Sequence, residues 1–266
     1  MVKALTEYFK NREDAISFLL QKSTRAYTPV TFHKLRVEIK KVNAFFELIN
    51  FCSKDFKRKK TFKPFKLIFC HAGKVRELQV EEAMLKKYFL NNLLKEYKNS
   101  LKKLRLKERK DFFAILNKTF IARLKKTFRE IVPFLKKMDK KKVKSYMEKK
   151  RKKIEKLLNQ NTLQTPEAHE LRKRLKKFHY CRKILNLEKQ NKPLPKKDDL
   201  LELLGNWHDL QVIIRNLKKA IDTAGINPKE VSQLKKIKAK FSSDSELLFK
   251  KINASIPASD FFAMST

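Results

Sequence analysis

Apolar positions recur along the chain at i, i+3, i+4 and i+7, and no segment alternates with the period of two that a half-buried strand needs. The spacing predicts an all-α chain, with helices over roughly 4–24, 31–52, 61–70, 74–98, 109–137, 140–159, 166–187, 196–221 and 229–252. Pro29 and Pro166 stand at or just before first turns, where a missing N–H costs least. Thr165 and Glu167 suit a helix start. Pro193 with Pro195, and Gly225 with Pro228, read as breaks. After Asn253 the basic helical pattern stops, and residues 254–266 read as a frayed or loosely docked tail.

One helical segment departs from an ordinary amphipathic pattern. In HKLRVEIKKVNAFFELI, beginning at His33, a wheel of about 100° per residue places His33, Arg36, Lys40, Ala44 and Glu47 within about 80° of one another. Leu35, Ile39, Val42, Phe45, Phe46 and Ile49 fall opposite. One face is therefore buried, and the other is a column of bases with no carboxylate on it before Glu47. HELRKRLKKFHYCRKIL, beginning at His169, repeats the column as His169, Arg172 and Lys176, followed by Tyr180 and Lys183. Its apolar side is Leu171, Leu175, Phe178 and Leu185.

A second pair of segments follows in the same order. GKVRELQV from Gly73 matches GNWHDLQV from Gly205, with Glu77 aligned to Asp209. Two motifs recurring in one order predict an internal repeat. The halves are about 1–138 and 139–253, each a helical bundle, together one pseudo-symmetric domain over 1–253.

Composition then gives the columns a meaning. The 266 residues include 66 Lys+Arg against 28 Asp+Glu, a net charge of +38, with 42% hydrophobic residues to build a core. So many like charges repel in the compact state and call for a polyanionic partner: nucleic acid, anionic membrane or inorganic polyphosphate. No run of about 18 apolar residues predicts a membrane span. Glu7, Glu13 and Asp14 near the start do not suit a signal peptide. Cys52, Cys70 and Cys181 have no metal-type spacing and sit in apolar contexts, which reads as buried thiols in a reducing cytoplasm.

The column suits phosphate. Arg offers a planar fork for two oxygens, Lys a compact point charge, and His one or two N–H donors. Stacked on a helix, they stand about one turn, roughly 5.4 Å, apart. Two such columns facing each other would form a groove for a linear polyanion. Turns at Gly73 and Gly205 would add helix N-terminal N–H groups and the side chains Lys74, Arg76 and His208. Glu77 and Asp209 read as structural partners for Arg36 and Arg172.

The H-x-x-R-x-x-x-K-K pattern in both halves, each followed by a G-x-x-[RH]-[ED]-x-x-V element, resembles the CHAD family, over about 1–252. The resemblance implies two antiparallel helical bundles related by a pseudo-two-fold axis, with a basic central surface that binds inorganic polyphosphate without catalysis. It implies that His33, Arg36, Lys40 and Lys41, with His169, Arg172, Lys176 and Lys177, line that surface; the wheel adds Lys183 to the second column. Asn43 and His179 stand where the family often has another base. His208 replaces the usual arginine of the Gly element, and Glu77 its aspartate.

The rival reading is a sequence-nonspecific RNA- or DNA-binding protein. The charge fits, and KKMDKKKVKSYMEKKRKKIEKLL at 136–158 is its best contact segment. Single-strand stacking wants exposed aromatics beside the bases, and Tyr180 is the one aromatic in either column. An enzyme acting on polyphosphate would need a metal held by carboxylates or an activated nucleophile. The columns supply only Glu47, three glycines make no P-loop, and His71, His179 and His208 form no paired metal motif. No cofactor is expected. The expected place is the cytoplasm, including its polyphosphate granules.

Overall fold

In a computed structural model of the chain, residues 1–90, 93–185, 195–222 and 226–256 are described, with Lys183 and 195–198 described by backbone alone. Among these residues the secondary structure is helical, with no strand. The elements are α1 (Val2–Leu20), a short 3-10 turn (Thr24–Ala26), α2 (Pro29–Cys52), α3 (Arg58–Leu90), α4 (Lys95–Ala114), α5 (Lys118–Lys136), α6 (Lys140–Leu158), α7 (Thr165–Ile184), α8 (Pro195–Asp222) and α9 (Pro228–Ser255). No helix among the described residues is long and apolar enough to cross a membrane.

Local chemistry explains the starts. The Thr28 hydroxyl accepts from the Thr31 N–H at 3.3 Å ahead of Pro29, so α2 begins with a cap and a proline at its first position. Asn227 accepts from the Lys229 N–H at 2.9 Å ahead of Pro228 and starts α9. Glu167 reaches back to the Gln164 N–H at 2.7 Å at the start of α7.

Three expectations are corrected. The predicted break at Gly73 does not exist: α3 runs continuously from Arg58 to Leu90, through both Pro64 and Gly73. The predicted helix over 109–137 is two helices. Asn117 accepts from the Phe120 N–H at 2.8 Å and caps a fresh start, which ends α4 at Ala114 and opens α5 at Lys118. The predicted loose tail begins later than Asn253, because α9 continues to Ser255 and Ile256 is only 2% exposed. Pro195 opens α8. Pro193, Gly225 and the tail from 257 to 266 lie outside the described residues.

The chain forms two compact units, each drawn from three segments. The first comprises 1–76, 105–151 and 177–192; the second comprises 77–104, 152–176 and 193–266. These are not the contiguous halves of the sequence repeat, and their boundaries fall inside α3, α4, α6 and α7.

In the first unit α1 packs on α2 and α5, and the core is aromatic. Phe9 stands 5.5 Å from Phe45 and 5.4 Å from Phe128, while Phe65 meets Phe46 at 5.5 Å and Phe128 at 5.1 Å. Stacked, tilted and edge pairs of this kind add to burial worth about 1.5–3 kcal/mol per ring. In the second unit α8 lies along α9 over a mainly aliphatic core that includes Leu78, Leu85, Leu210, Ile213, Leu234 and Ile237. Glu81 is buried there, accepting from the Tyr97 hydroxyl and from Asn216 Nδ2 at 2.9 Å. Burial raises its carboxyl pKa, and the like charges of Glu82 and Glu77 add to the rise, outweighing the two hydrogen bonds.

Candidate anion-binding site

The apolar face of α2 is buried as its spacing predicts: Leu35, Ile39, Val42, Phe45, Phe46 and Ile49 are all in the core. This fixes which way the opposite face points. His33 is exposed, and Arg36 and Lys40 are half-buried. The column stops there as a surface feature. Ala44, one turn on, is 1% exposed and offers its carbonyl to the Cys181 thiol of α7.

Arg36 has a shaped seat. Its Nη1 donates to the Phe69 carbonyl at 3.1 Å, and its guanidinium carbon stands 4.3 Å from the centroid of the Phe69 ring. In a regular helix that carbonyl faces the N–H of residue 73. Residue 73 is glycine, and a side-chain carbon there would overlap Arg36 Nη1 and stand 3.3 Å from its Cζ. Gly73 is thus a notch in α3 through which the arginine reaches backbone. Glycine inside a helix costs about 1 kcal/mol relative to alanine, and here it makes room for a long-range partner. Lys40 Nζ lies 5.8 Å from the same ring. An arginine held by a carbonyl and a ring face has lost much of its rotamer freedom before any ligand arrives.

The other bases named for the first unit have varied settings. His33 lines a groove of about 680 Å³ between α1 and α2, together with Lys22, Lys34, Glu38 and Lys41. Lys41 donates to Glu38 at 2.7 Å, and Glu38 also meets Arg12 at 3.0 Å. Lys74 is exposed and stands 3.4 Å from Glu108. Arg76 is half-buried on α3. Lys177 donates to Glu47 at 2.7 Å. Lys74 and Lys177 are therefore answered by carboxylates of other helices, which a single-helix wheel does not show, whereas Lys41 pairs with Glu38 three residues back on its own helix.

Glu47 gathers more than Lys177. Its other partners are Arg58 Nη2 at 2.8 Å and Lys150 Nζ at 3.3 Å. Burial alone would push this carboxyl up. The Lys177 hydrogen bond and the charges of Lys177, Lys150 and Arg58 outweigh it, and hold Glu47 below the ordinary carboxylate range. Arg58 Nη2 also donates to Asn43 Oδ1 at 2.9 Å, so a base from α3 comes to the position where the resemblance had found one missing.

The second unit builds its column differently. His169 packs 4.5 Å from the Trp207 ring and 5.3 Å, edge to face, from His208. Trp207 is buried against Phe249 at 5.4 Å. Burial lowers the His169 pKa, and the charges of Lys173, Arg172 and Arg215 lower it further. Lys176 is likewise lowered, by burial and then by Arg172, with Asp209 acting in the opposite sense. The carboxylate expected beside Arg172 thus also favours the charged form of Lys176. Gly205 lies inside α8, and a side-chain carbon there would meet nothing within 4 Å. The helix N-terminal N–H groups expected at Gly73 and Gly205 are absent from the site, because both glycines are mid-helix. Lys183 is on α7, with its side chain outside the described residues.

Sequence reasoning missed Phe69, Arg58 and Lys150. Their only local signal was an apolar residue one turn before a glycine, and two bases among many. Cys52 and Cys181 are buried as expected, whereas Cys70 is exposed; all three are free thiols. Among the described residues no group of three or more His, Cys, Asp or Glu is placed to hold a metal ion.

Fold and site together define an all-helical, strongly basic protein with cationic groups preset on two helix faces. The chain belongs to the CHAD family, whose domain pattern matches residues 20–218. It is similar in fold to the crystal structure of the CHAD domain from the plant Ricinus communis, with a TM-score of 0.76 at 16% identity over 97% of this chain and 92% of that one. No curated protein matches it in sequence.

Proposed function

We propose that this protein binds inorganic polyphosphate along its basic helix faces and leaves it chemically unchanged. The observation that carries the reading is the seat of Arg36. A guanidinium fixed against the Phe69 carbonyl and ring, one turn from Lys40, is a prepositioned fork and point charge for successive phosphates. His169, Arg172 and Lys176 repeat the residue types in the second unit. The one carboxylate of the first column, Glu47, is engaged by three cations and held ionised. That setting suits an orienting group better than a proton donor. The free thiols suit a reducing cytoplasm as the place of action.

The aromatics beside the columns favour polyphosphate over single-stranded nucleic acid. Arg36 and Lys40 cover the Phe69 ring, and Trp207 is 1% exposed, so neither presents a face for a base. The test is calorimetric titration with long-chain polyphosphate at near-physiological salt, repeated with duplex DNA and single-stranded RNA matched for phosphate. Polyphosphate binding that survives salt sufficient to abolish nucleic-acid binding supports a shaped phosphate site. Equal affinities that fall together with salt would replace this reading with nonspecific nucleic-acid binding.

A further inference from the structure

The cluster around Glu47, at the far end of the first column, gathers bases from outside that column and holds more positive charge than it answers. Arg58 from α3, Lys150 from α6 and Lys177 from α7 all meet one carboxylate, at 2.8, 3.3 and 2.7 Å. All these residues belong to the first unit. Glu47 is 11% exposed, whereas the cations are 32%, 30% and 40% exposed, so the carboxylate sits beneath and the cations form the outer layer.

The hydrogen bonds do not use up the donors. A guanidinium has five N–H groups and an ammonium three. Arg58 spends Nη2 on Glu47 and Asn43, and its buried Nε makes no hydrogen bond. Lys150 and Lys177 each donate once to Glu47, and Lys150 also lies 5.0 Å over the Tyr146 ring. Three cations drawn to a single carboxylate repel one another, and a second anion on their outer side would relieve that repulsion. Glu47 itself acts as an internal anion that keeps the three side chains converged when no ligand is present.

We propose that Arg58, Lys150 and Lys177 form an oxyanion subsite for a phosphate group, with Glu47 as its positioning residue. The inference rests on the polyphosphate reading above and enlarges its footprint. It assigns ligand contacts to Arg58 and Lys150, which lie outside both repeated motifs. Arg58 Nη1, which no hydrogen bond to Glu47 or Asn43 uses, donates to a phosphate oxygen, and the lysines take the remainder as point charges.

The test compares two substitutions of equal charge on one helix. Lys150→Gln removes a cation from the cluster, and Lys149→Gln removes its exposed neighbour. Affinity for long-chain polyphosphate is measured against salt for both variants, for Arg58→Gln and for the unaltered protein, with circular dichroism and melting curves to confirm folding. Lys150→Gln and Arg58→Gln are each expected to weaken binding several-fold and to reduce the salt slope by about one phosphate contact. Lys149→Gln should leave both near the unaltered values. If the unaltered protein binds polyphosphate and the Lys150 and Lys149 variants behave alike, the subsite is refuted while the function stands. If the unaltered protein does not bind, the function is wrong and the subsite falls with it.

Discussion

The two basic columns carry the same residue types at the same spacing, yet their surroundings are unlike. In the first, Arg36 is seated in a notch at Gly73, against the Phe69 carbonyl and ring. In the second, the glycine at 205 has open space beside it, and the histidine is the packed member, set against Trp207 and His208. The first column fixes a permanently charged group by geometry. The second surrounds a titratable group with burial and like charge, which lowers its pKa. A shared sequence motif therefore fixes which groups stand on a helix face, while the packed neighbours decide whether each is held by shape or tuned by protonation.

The strongest way to break the comparison is Arg36→Ala. It removes the seated fork and should weaken polyphosphate binding on the order of 10- to 100-fold, the range for hydrogen bonds to charged groups. Gly73→Ala comes next. The new methyl group would occupy the space of Arg36 Nη1, so the flexible guanidinium must move out of its seat, and affinity should fall by about several-fold to tenfold. Gly205→Ala has no such conflict. It should leave binding unchanged and stabilise α8 by up to about 1 kcal/mol, read as a rise of roughly 2–4 °C in Tm. In a double-substitution cycle, Gly73→Ala should cost little once Arg36 is already alanine, because both act through one side chain. Additive losses would show that the notch serves something other than Arg36.

Protonation sharpens the second column. Burial, and then the charges of Lys173, Arg172 and Arg215, lower the pKa of the free His169 imidazole. A bound polyanion favours the imidazolium and raises that pKa. Binding should take up protons and strengthen as pH falls through the interval between the free and bound values. His169→Gln should reduce both the proton uptake, measured by calorimetry in buffers of different ionisation enthalpy, and the pH dependence of affinity. Burial sets this titration first, then the charges of Lys173, Arg172 and Arg215, with His208 in ring contact. The smallest loss of affinity belongs to Phe69→Leu, which keeps the carbonyl and removes the ring. It should cost about two- to fivefold in affinity, in line with roughly 0.5–1 kcal/mol for a partly exposed cation–π contact.

How far the sequence revealed this arrangement follows from the range of each cause. The buried face of α2 was legible because a helix wheel depends on neighbours within two turns, and Leu35 through Ile49 obey it. The repeated bases were legible for the same reason. Gly73 was misread as a turn, although a lone glycine inside a helical pattern is tolerated at a cost of about 1 kcal/mol when packing requires it. Its actual cause, Arg36, comes from another helix and leaves no local trace. The break at Asn117 was available in AILNKTF but was overridden by the continuing apolar period of 109–137. The partners of Glu47 come from α3, α6 and α7, and no local pattern distinguishes Arg58 or Lys150 from the many other bases.

The central claim is that placed bases, and not bulk charge, hold the ligand. The most direct test is polyphosphate affinity at near-physiological salt for Arg36→Ala with Arg172→Ala, set against a double variant that removes equal charge elsewhere, Lys141→Ala with Lys149→Ala on the exposed side of α6. The account predicts a loss for the arginine pair at least about tenfold greater than for the lysine pair, on the estimate that each column arginine makes charged hydrogen bonds to the ligand and each exposed lysine only a screened contact. Equal losses in the two variants would contradict it and leave net charge as the whole explanation.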